Sequence, residues 1–448
     1  MKIVWILWSI CVGLLLSGST LSAFAPVNFF RPEDRTLRLP FAPKTGIKFG
    51  IIGEYGCRST GLNWEGKRRN VLQVYDDRQT AVWMVRNTIG DVNTAVEKAV
   101  YAPAVAMLGG IPGLRNSDAD ANYRNFNSDD SDRGYQVMMG KYREFDMTLM
   151  AGVKVLKTHG RLALNLYAPV KCVSVFDVNI TDKTGSATKM PAVYLDNFVY
   201  QYLTDNLKNN VYKWSNLDLS DWRKAGWGDL LVHLDWSNRY AMEVKDFLKA
   251  ITVGLRGGIS CPTGVKKDVD QAFSMAFGND DAWGVTLGAT MGLDVWTKLK
   301  LGCNVDWFGL HDKKRMRRLK THSNQNEFLL LNKGLATKHY GITWNLEPYL
   351  QLFHIVDRLS ARVAYQYIAH DKDELSVSGD SGFDNSIINT AHSLQPWWVH
   401  NVIFNINYDL ALRKGIYTVQ LGAFYKMPIN GRGIIDTHTF GGQLAVNW

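Results

Sequence analysis

Apolar and polar residues alternate with a period of two along much of the chain, most clearly in its second half. In the C-terminal segment, Phe440, Leu444 and Val446 fall on one side of an extended strand, and Gln443 and Asn447 fall on the other. Successive side chains of a β-strand point to opposite faces, so this alternation predicts strands with one apolar and one polar face. The segments run for about 9 to 13 residues, longer than the usual strand of a soluble sheet.

Twelve segments carry this alternation. They span residues 46–57, 142–156, 161–175, 228–240, 249–261, 283–294, 296–308, 341–353, 357–369, 398–410, 415–426 and 436–448. The connections between them are long and short in turn, so the long ones fall at one end of a meander and the short ones at the other. Outer-membrane barrels have an even strand number, short periplasmic turns and long outer loops. We therefore predict an all-β fold, an antiparallel transmembrane β-barrel of 12 strands with long extracellular loops.

Two long connections leave details of this prediction open. Residues 58–141 and 176–227 are each long enough to hold another hairpin, so 14 strands are the alternative. Within the first connection, residues 69–87 have apolar positions at partly helical spacing, which predicts a helix that plugs or covers the lumen. A packed loop is the alternative there. Residues 118–122 begin like a calcium loop, but Tyr123 replaces the required glycine, so we interpret them as a solvated acidic loop without metal.

The first 25 residues have the organisation of a secretory signal peptide. Lys2 supplies a positive charge, residues 3–16 form an apolar core, and an Ala-Phe-Ala cleavage pattern ends at Ala25. We predict that residues 1–25 are removed and that residues 26–448 form a single domain. No later stretch has the roughly 18 uncharged apolar residues that a membrane-spanning helix needs, which excludes a helical membrane protein.

Composition refines this picture without changing it. The chain has 51 Lys and Arg residues against 42 Asp and Glu, a formal net charge of +9, and 12% aromatic residues. This mild excess of positive charge does not indicate a nucleic-acid partner. The rings near strand ends on the apolar face are Trp283, Trp307, Trp344, Trp398, Tyr417, Tyr425 and Trp448. Such a distribution is typical of the aromatic belts at membrane interfaces.

The chain also ends on an aromatic residue within an alternating strand. Together with the signal peptide and the twelve strands, this ending resembles Gram-negative-type, porin-like outer-membrane β-barrel proteins, without a specific subfamily. The resemblance implies location in the cell outer membrane, contact with its lipid, and recognition by the barrel assembly machinery. The assembly signal would comprise Phe440, Leu444, Val446 and Trp448. The resemblance leaves the oligomeric state open.

Charged residues on the polar face are the candidate functional residues. The positions expected to line the lumen and set its selectivity are Arg239, Arg256, Lys298, Lys300, Asp306, Glu347, Arg358, Arg362 and Asp409. Cations and anions are nearly balanced in this face, which predicts porin-like passage of small hydrophilic solutes through a mixed-charge lumen. The alternative is a structural or adhesive surface protein that acts through its extracellular loops.

A basic run in one outer loop is a second candidate site. Its cations, Lys313, Lys314, Arg315, Arg317, Arg318 and Lys320, could pair with lipopolysaccharide phosphates or other anions, and a solvated charge run is the alternative. We expect no enzyme and no cofactor. Residues 321–325 lack the His-x-Ser-Asn-Gly signature of outer-membrane phospholipase A, and His233 with Asp235 is a pair that scattered lumen charges produce by coincidence.

The cysteines of the mature chain lie on the apolar face of predicted strands 1, 3, 5 and 7. They are Cys57, Cys172, Cys261 and Cys303. Strands that are not neighbours in a sheet lie at least about 9 Å apart, which is beyond the reach of a disulfide. We therefore predict four free thiols that behave as small apolar side chains.

Overall fold

The computed structural model describes residues 46–85, 88–101, 135–156, 160–183, 206–242, 247–356, 358–379, 382–412 and 417–447. The predicted signal peptide, the acidic loop at 118–122 and the terminal Trp448 lie outside these ranges, so those three expectations stay predictions.

Twelve antiparallel strands form the barrel. They are β1 Ile47–Arg58, β2 Tyr135–Leu156, β3 Arg161–Asp182, β4 Leu230–Ala241, β5 Leu248–Cys261, β6 Gly284–Val295, β7 Leu299–Leu310, β8 Thr343–Leu352, β9 Leu359–His370, β10 Trp397–Leu412, β11 Tyr417–Arg432 and β12 Thr439–Asn447. Each strand pairs with its neighbours in the sequence, and β1 pairs with β12 to close the ring. The prediction of a closed barrel of twelve strands is confirmed.

Two short strands join the same sheet without entering the closed ring. Gln79–Thr80 pairs with the start of β2, and Trp222–Trp227 pairs with β3. Both lie in the long connections where further strands were the alternative. They attach where β2 and β3 extend past the barrel, because these two strands of 22 residues are longer than the other ten. The ring itself therefore stays at twelve strands.

The barrel is apolar outside and polar inside. Leu255 is 56% exposed and Ile406 is 55% exposed on the outer surface, whereas Asn304 and Glu347 are 0% exposed on the inner surface. The outward residues are those that the alternation assigned to lipid. Because a spanning structure must also satisfy its backbone groups internally, a closed ring with this polarity is the architecture of an outer-membrane barrel.

The strand connections differ sharply between the two ends of the barrel. The connections from β2 to β3, β4 to β5, β6 to β7, β8 to β9 and β10 to β11 are short in sequence and lie at one end, which we call the turn end. The long connections at the other end are L1 (59–134), L2 (183–229), L3 (262–283), L4 (311–342), L5 (371–396) and the shorter L6 (433–438). We call the described residues of L1 to L6 the cap.

Short elements build the cap. Its remaining strands form two sheets of three: Thr60–Leu62, Arg68–Asn70 and Ile434–Ile435 in one, Lys313–Arg318, Lys333–His339 and Glu374–Ser376 in the other. Its α-helices are α1 Ala81–Val85, α2 Gly90–Val96, α3 Leu207–Ser215 and α4 Asn385–Ile388. Single turns follow a 3₁₀ pattern at Val71–Gln73, Glu327–Leu329 and His392–Leu394, and a π pattern at Glu97–Tyr101. None of the described helices has the length and apolarity to cross a membrane.

The cap has an apolar core of its own above the polar lumen. L1 supplies Leu72 and Met84, L2 supplies Val211 and Trp214, and L3 supplies Phe277, all of them buried. The upper, inward-facing parts of β2 and β3 pack into the same cluster. Burial of these side chains stabilises the long connections as a folded layer over the barrel mouth.

The predicted helix over 69–87 is wrong as a single element. The segment contains a 3₁₀ turn over Val71–Gln73, a short strand and then α1. Asn70 and Gln73 form a capping box around that turn, and the Asn70 amide also bonds both backbone groups of Gly140 on β2. These contacts hold the chain against β2, which interrupts the helical spacing. The packed-loop alternative describes the segment better.

The cysteine prediction is confirmed for the described residues, since Cys57, Cys172, Cys261 and Cys303 form no disulfide. Their positions on the outer parity of β1, β3, β5 and β7 separate them by intervening strands. They behave as small apolar side chains on the membrane-facing surface.

The polarity of the barrel predicts the cost of a charge on its outer face. Val305 lies midway along β7 and is 42% exposed towards lipid. Val305→Arg should lower the free energy of unfolding in lipid vesicles by about 2–4 kcal/mol, because the guanidinium must enter the hydrocarbon. Urea unfolding followed by tryptophan fluorescence measures this value.

Met316→Arg is the matched control, because Met316 is 48% exposed in the cap, outside the membrane-spanning strands. It should change stability by no more than about 0.5 kcal/mol. Equal losses for the two variants would contradict the assignment of the outer face to lipid.

Candidate functional site

A chain of polar side chains crosses the inner wall from β3 to β9. Asn165 donates to Asp235, which lies 3.6 Å from the Nε of Arg256. Arg256 donates to Thr290 at 3.1 Å, and the Thr290 hydroxyl donates to Asn304 Oδ1 at 3.0 Å. The members repeat on successive strands because each faces inward at a similar height. Each side chain thus satisfies its neighbour's hydrogen-bonding group across the strand pair.

This polar chain ends in a buried ion pair at mid-barrel. Asn304 donates to Glu347 Oε1 at 3.0 Å, and the same oxygen accepts a close charge-assisted bond from Arg362. The Arg362 guanidinium also stacks on Tyr349, with 4.0 Å between its central carbon and the ring centroid. We call Glu347, Tyr349 and Arg362 the charged layer. Their side chains are buried, so they occupy the lumen at this height.

Glycine makes room for the charged layer. Gly302 lies directly opposite Tyr349 in the β7–β8 pair, and a Cβ at this position would stand 2.3 Å from the Tyr349 Cζ. Only a residue without a side chain allows the ring to lie flat against the wall there. The Tyr349 ring in turn stacks against the Arg362 guanidinium.

The opposite wall of the barrel carries mostly amides. Asn407 donates to Asn405 at 2.5 Å, and Gln443 donates to Asn407 Oδ1 at 3.0 Å. Nearer the cap, Asn401 donates to Gln366 at 3.2 Å. The lumen is therefore asymmetric, with the polar chain of charged groups on β3 to β9 and mostly amides on β9 to β12, where Asp409 and Lys426 are charged.

Between the charged layer and the cap, the lumen narrows at an apolar layer. Phe308 on β7, Ile368 on β9 and Val399 on β10 turn inward and are buried together with Trp397. The cap contributes Leu62 and Ile434 to the same cluster. Apolar constrictions of this kind can block water and ions by dewetting.

A cavity of about 280 Å³ lies above the apolar layer, inside the cap. We call it the vestibule. Part of its wall is apolar: Phe308, Leu310, Phe328, Leu330, Leu394 and Trp397. Another part is charged or polar: Lys267, Asp280, Arg317, Lys338, Tyr340 and Asp373. A second cavity of about 30 Å³ lies beside the acidic residues Glu54 and Asp146, whose neighbour Lys171 pairs with Asp146 at 3.0 Å.

The structure groups the nine predicted lumen residues into two sets. Arg256, Lys300, Asp306, Glu347, Arg362 and Asp409 lie on the inner wall, and Arg239, Lys298 and Arg358 are exposed at the turn end. Asp294 connects the two sets by contacting one residue of each. Arg239 donates to it at 2.8 Å, and Lys300 lies 3.8 Å from it. Their role in selectivity stays a prediction.

The basic run of L4 forms one strand of a cap hairpin, and most of its cations pair within the protein. Asp280 of L3 binds both Arg315 and Arg317, and Asp281 lies 2.8 Å from Lys313. Arg318 bonds Asp270 and several carbonyl groups. Lys320 is buried and Lys314 is exposed on the outer face of the hairpin. Contact of this run with lipopolysaccharide stays a prediction.

The histidines considered for catalysis make structural contacts. His233 is buried beside Tyr167 and Thr286, and His322 stacks on Trp83 with 4.5 Å between ring centroids. In the described ranges, no group of three or more His, Cys, Asp or Glu residues is placed to hold a metal ion. Of the predicted assembly residues, Phe440 and Leu444 point outward from β12.

Sequence reasoning did not single out several residues that complete these sites. Thr290 and Asn304 link the charged residues of the wall, but they carry no charge that would mark them. Tyr349 lies two residues after Glu347 and therefore faces inward on the same side of β8. That spacing was the sequence feature that could have identified it. Lys267 and Tyr340 belong to separate cap connections, and no local pattern brings them together.

No protein-family model matches the chain, and no curated protein matches it. Among solved structures, the COG4313 outer membrane channel from Pseudomonas putida F1 is 11% identical, with 93% of this chain and 98% of that chain covered and a TM-score of 0.47. A Pseudomonas aeruginosa FadL homologue is 9% identical, with 96% and 95% covered and a TM-score of 0.32. The NanC porin is 8% identical, with 70% and 98% covered and a TM-score of 0.27. The likeness concerns barrel architecture and assigns no solute to this chain.

A histidine joins two of the cap connections that enclose the vestibule. Nδ1 of His392 in L5 donates to the Tyr75 carbonyl oxygen at 2.8 Å and to Asp76 Oδ1 at 3.0 Å, both in L1. Its ring stacks on Trp64 at 5.4 Å. The bond to Asp76 raises the pKa of His392 above its ordinary value, against the opposing effect of burial.

This raised pKa predicts a cap that loosens as the pH rises. The folded state favours protonated His392, so its stabilising effect is complete below the unfolded pKa of about 6.5 and is lost as the pH rises through the folded pKa. Hydrogen exchange, corrected for intrinsic rates, should show L5 losing protection as the pH rises from about 6.5 through the folded pKa of His392.

The variant His392→Phe keeps a ring to stack on Trp64 but removes both hydrogen bonds. Its L5 should be less protected than wild type at low pH and should lose the pH dependence. If the variant retained the same pH dependence, another group would have to be its source.

Proposed function

We propose that the chain is an outer-membrane channel for small hydrophilic solutes, with a lumen of mixed charge that is closed in this conformation. The observation that carries the proposal is the continuous polar chain on the inner wall of an outwardly apolar barrel. A barrel that served only as a scaffold would gain stability from apolar filling, because buried ion pairs are often less stabilising than packed hydrophobic groups. A hydrated passage instead requires polar groups on its wall that can replace their bonds to one another with bonds to water.

The proposed path begins in the vestibule, crosses the apolar layer, and reaches the charged layer at mid-barrel. The Arg362–Glu347 pair is fully desolvated, with side chains 2% and 0% exposed. Opening would require Arg362 to leave Tyr349 and take up solvent or solute, while Asn304 continues to bond Glu347. The charges and amides on the two sides of the wall would then select among polar solutes.

The signal peptide and the outer-membrane location belong to this proposal. The apolar outer face supports residence in a lipid bilayer, and the long connections would face outward while the short ones face the periplasm. The alternative is a structural or adhesive protein that acts through the cap alone. The following measurement distinguishes this alternative from transport.

Single-channel recording in planar bilayers tests the charged layer. Wild-type protein should give discrete steps of small conductance. The double variant Glu347→Ala/Arg362→Ala removes both charges together, so no uncompensated charge stays buried, and it should raise the conductance by roughly twofold or more.

Val363→Ala is the matched control, because Val363 follows Arg362 on β9 but faces lipid. Its conductance should equal that of wild type. Folding of each variant is checked by heat-modifiable migration on gels. Absence of channel steps in well-folded wild type and double variant alike would contradict transport and favour the surface role.

A further inference from the structure

The vestibule has the size and lining of a ligand site. Its volume of about 280 Å³ approaches the lower end of small-molecule sites, which begin near 300 Å³. Phe308, Leu394 and Trp397 give it an apolar side, and the cap hairpin with L3 gives it a polar side. Sites for organic molecules combine these two kinds of wall, since the apolar part holds the body of the ligand and a few polar groups fix its orientation.

Four acidic residues line the vestibule: Asp268 and Glu327 accept backbone N–H groups, whereas Asp280 and Asp373 are paired with cations. Asp280 binds Arg315 and Arg317 and accepts from the backbone N–H of Lys267 at 3.0 Å. Asp373 lies 2.6 Å from Lys338 Nζ and also accepts from His370 and Gly341. The cations hold the pKa of each carboxyl below its usual range despite burial, which otherwise raises it. Both carboxylates are therefore charged and engaged.

Most of the hydrogen-bonding capacity that is left over in the vestibule consists of donors, with Gln271 Oε1 as a buried acceptor that has no partner among the described residues. Nε and Nη2 of Arg317 are buried and have no partner among the described residues, and the same holds for the Tyr340 hydroxyl. The Lys267 ammonium makes no hydrogen bond or ion pair with the described part of the chain, although Asp280 and Glu327 are near enough to act on it. Lys267 lines the vestibule, and its side chain keeps exposed surface there.

These groups come together from two cap connections. Arg317 lies on the covered face of the L4 hairpin, Tyr340 follows the second strand of that hairpin, and Lys267 belongs to L3. Arg317 and Lys338 both act electrostatically on the Tyr340 hydroxyl and on the Lys267 ammonium, which places Arg317, Tyr340 and Lys267 at one side of the cavity. A ligand that satisfies them must supply acceptors and negative charge.

We propose that the vestibule binds a small organic monoanion with an apolar body. Its anionic head lies against Arg317, Tyr340 and Lys267, and its body packs on the apolar wall formed by Phe308, Leu394 and Trp397. The inference rests on the cavity alone and not on conduction through the lumen, so failure of the conductance test leaves it standing.

Saturation-transfer NMR titrations on the full-length protein in detergent test this proposal with three probes. Benzoate carries both a charge and a ring, benzamide has the ring without the charge, and acetate has the charge without the ring. Benzoate should bind saturably and at least about tenfold more tightly than either of the other two. Equal affinity for benzamide, equal affinity for acetate, or no saturable benzoate binding would each overturn the proposal.

Two substitutions then locate the site. Tyr340→Phe removes a hydroxyl without a described protein partner, so folding should be retained, and it should weaken benzoate binding roughly fivefold. Lys267→Met should weaken it roughly tenfold. Lys314→Met is the control, because Lys314 lies on the exposed face of the same hairpin, and it should leave the affinity unchanged. Unchanged benzoate affinity in both Tyr340→Phe and Lys267→Met would place the binding elsewhere and overturn the assignment.

Discussion

The pairing of β1 with β12 is the interaction on which the rest of the molecule depends. It joins Lys48 to Asn447 and continues to Gly56 opposite Thr439, so no strand edge of the ring is left open. In hydrocarbon an unpaired backbone group costs several kcal/mol, and a closed ring is the way for strands to avoid that cost. Closure then fixes which face of every strand meets lipid. The alternating sequence follows from this constraint, with apolar side chains outside and polar ones inside.

Because alternation is a local property, the barrel could be predicted closely from the sequence. The predicted strand 161–175 begins where β3 begins, and predicted 283–294 differs from β6 by one residue at each end. The main errors lie at the cap ends of β2 and β3, which continue to Tyr135 and Asp182. There the strands leave the membrane and pack in the cap core, so inward positions such as Met138 and Val175 become apolar and the lumen pattern disappears.

The cap and its site could not be predicted in the same way, because their contacts join distant connections. Asp280 meets Arg315 across 35 positions, and His392 meets Asp76 across 316 positions. A basic run read by itself gives no sign that aspartates of another loop neutralise most of it. The vestibule likewise combines Lys267 of L3 with Tyr340 after the L4 hairpin. Individual residue types were visible in the sequence, whereas their assembly depended on tertiary packing.

Two different layers of buried side chains lie in series along the lumen, and different contacts hold them in place. The apolar layer is held by Leu62 and Ile434 from the cap, so loosening of L1 and L6 bears directly on it. The charged layer is held by the wall itself, through Asn304, Glu347 and the Tyr349 ring that supports Arg362. An anion or a hydrated solute would compete directly with Glu347 for Arg362. Phe308 and Val399 are apolar and offer such a solute no charge or hydrogen bond. On the proposed path, a solute that enters from the cap side must therefore displace the cap contacts before it can act on the ion pair. This order gives the vestibule, which lies above both layers, the first contact with any solute that enters from the cap side.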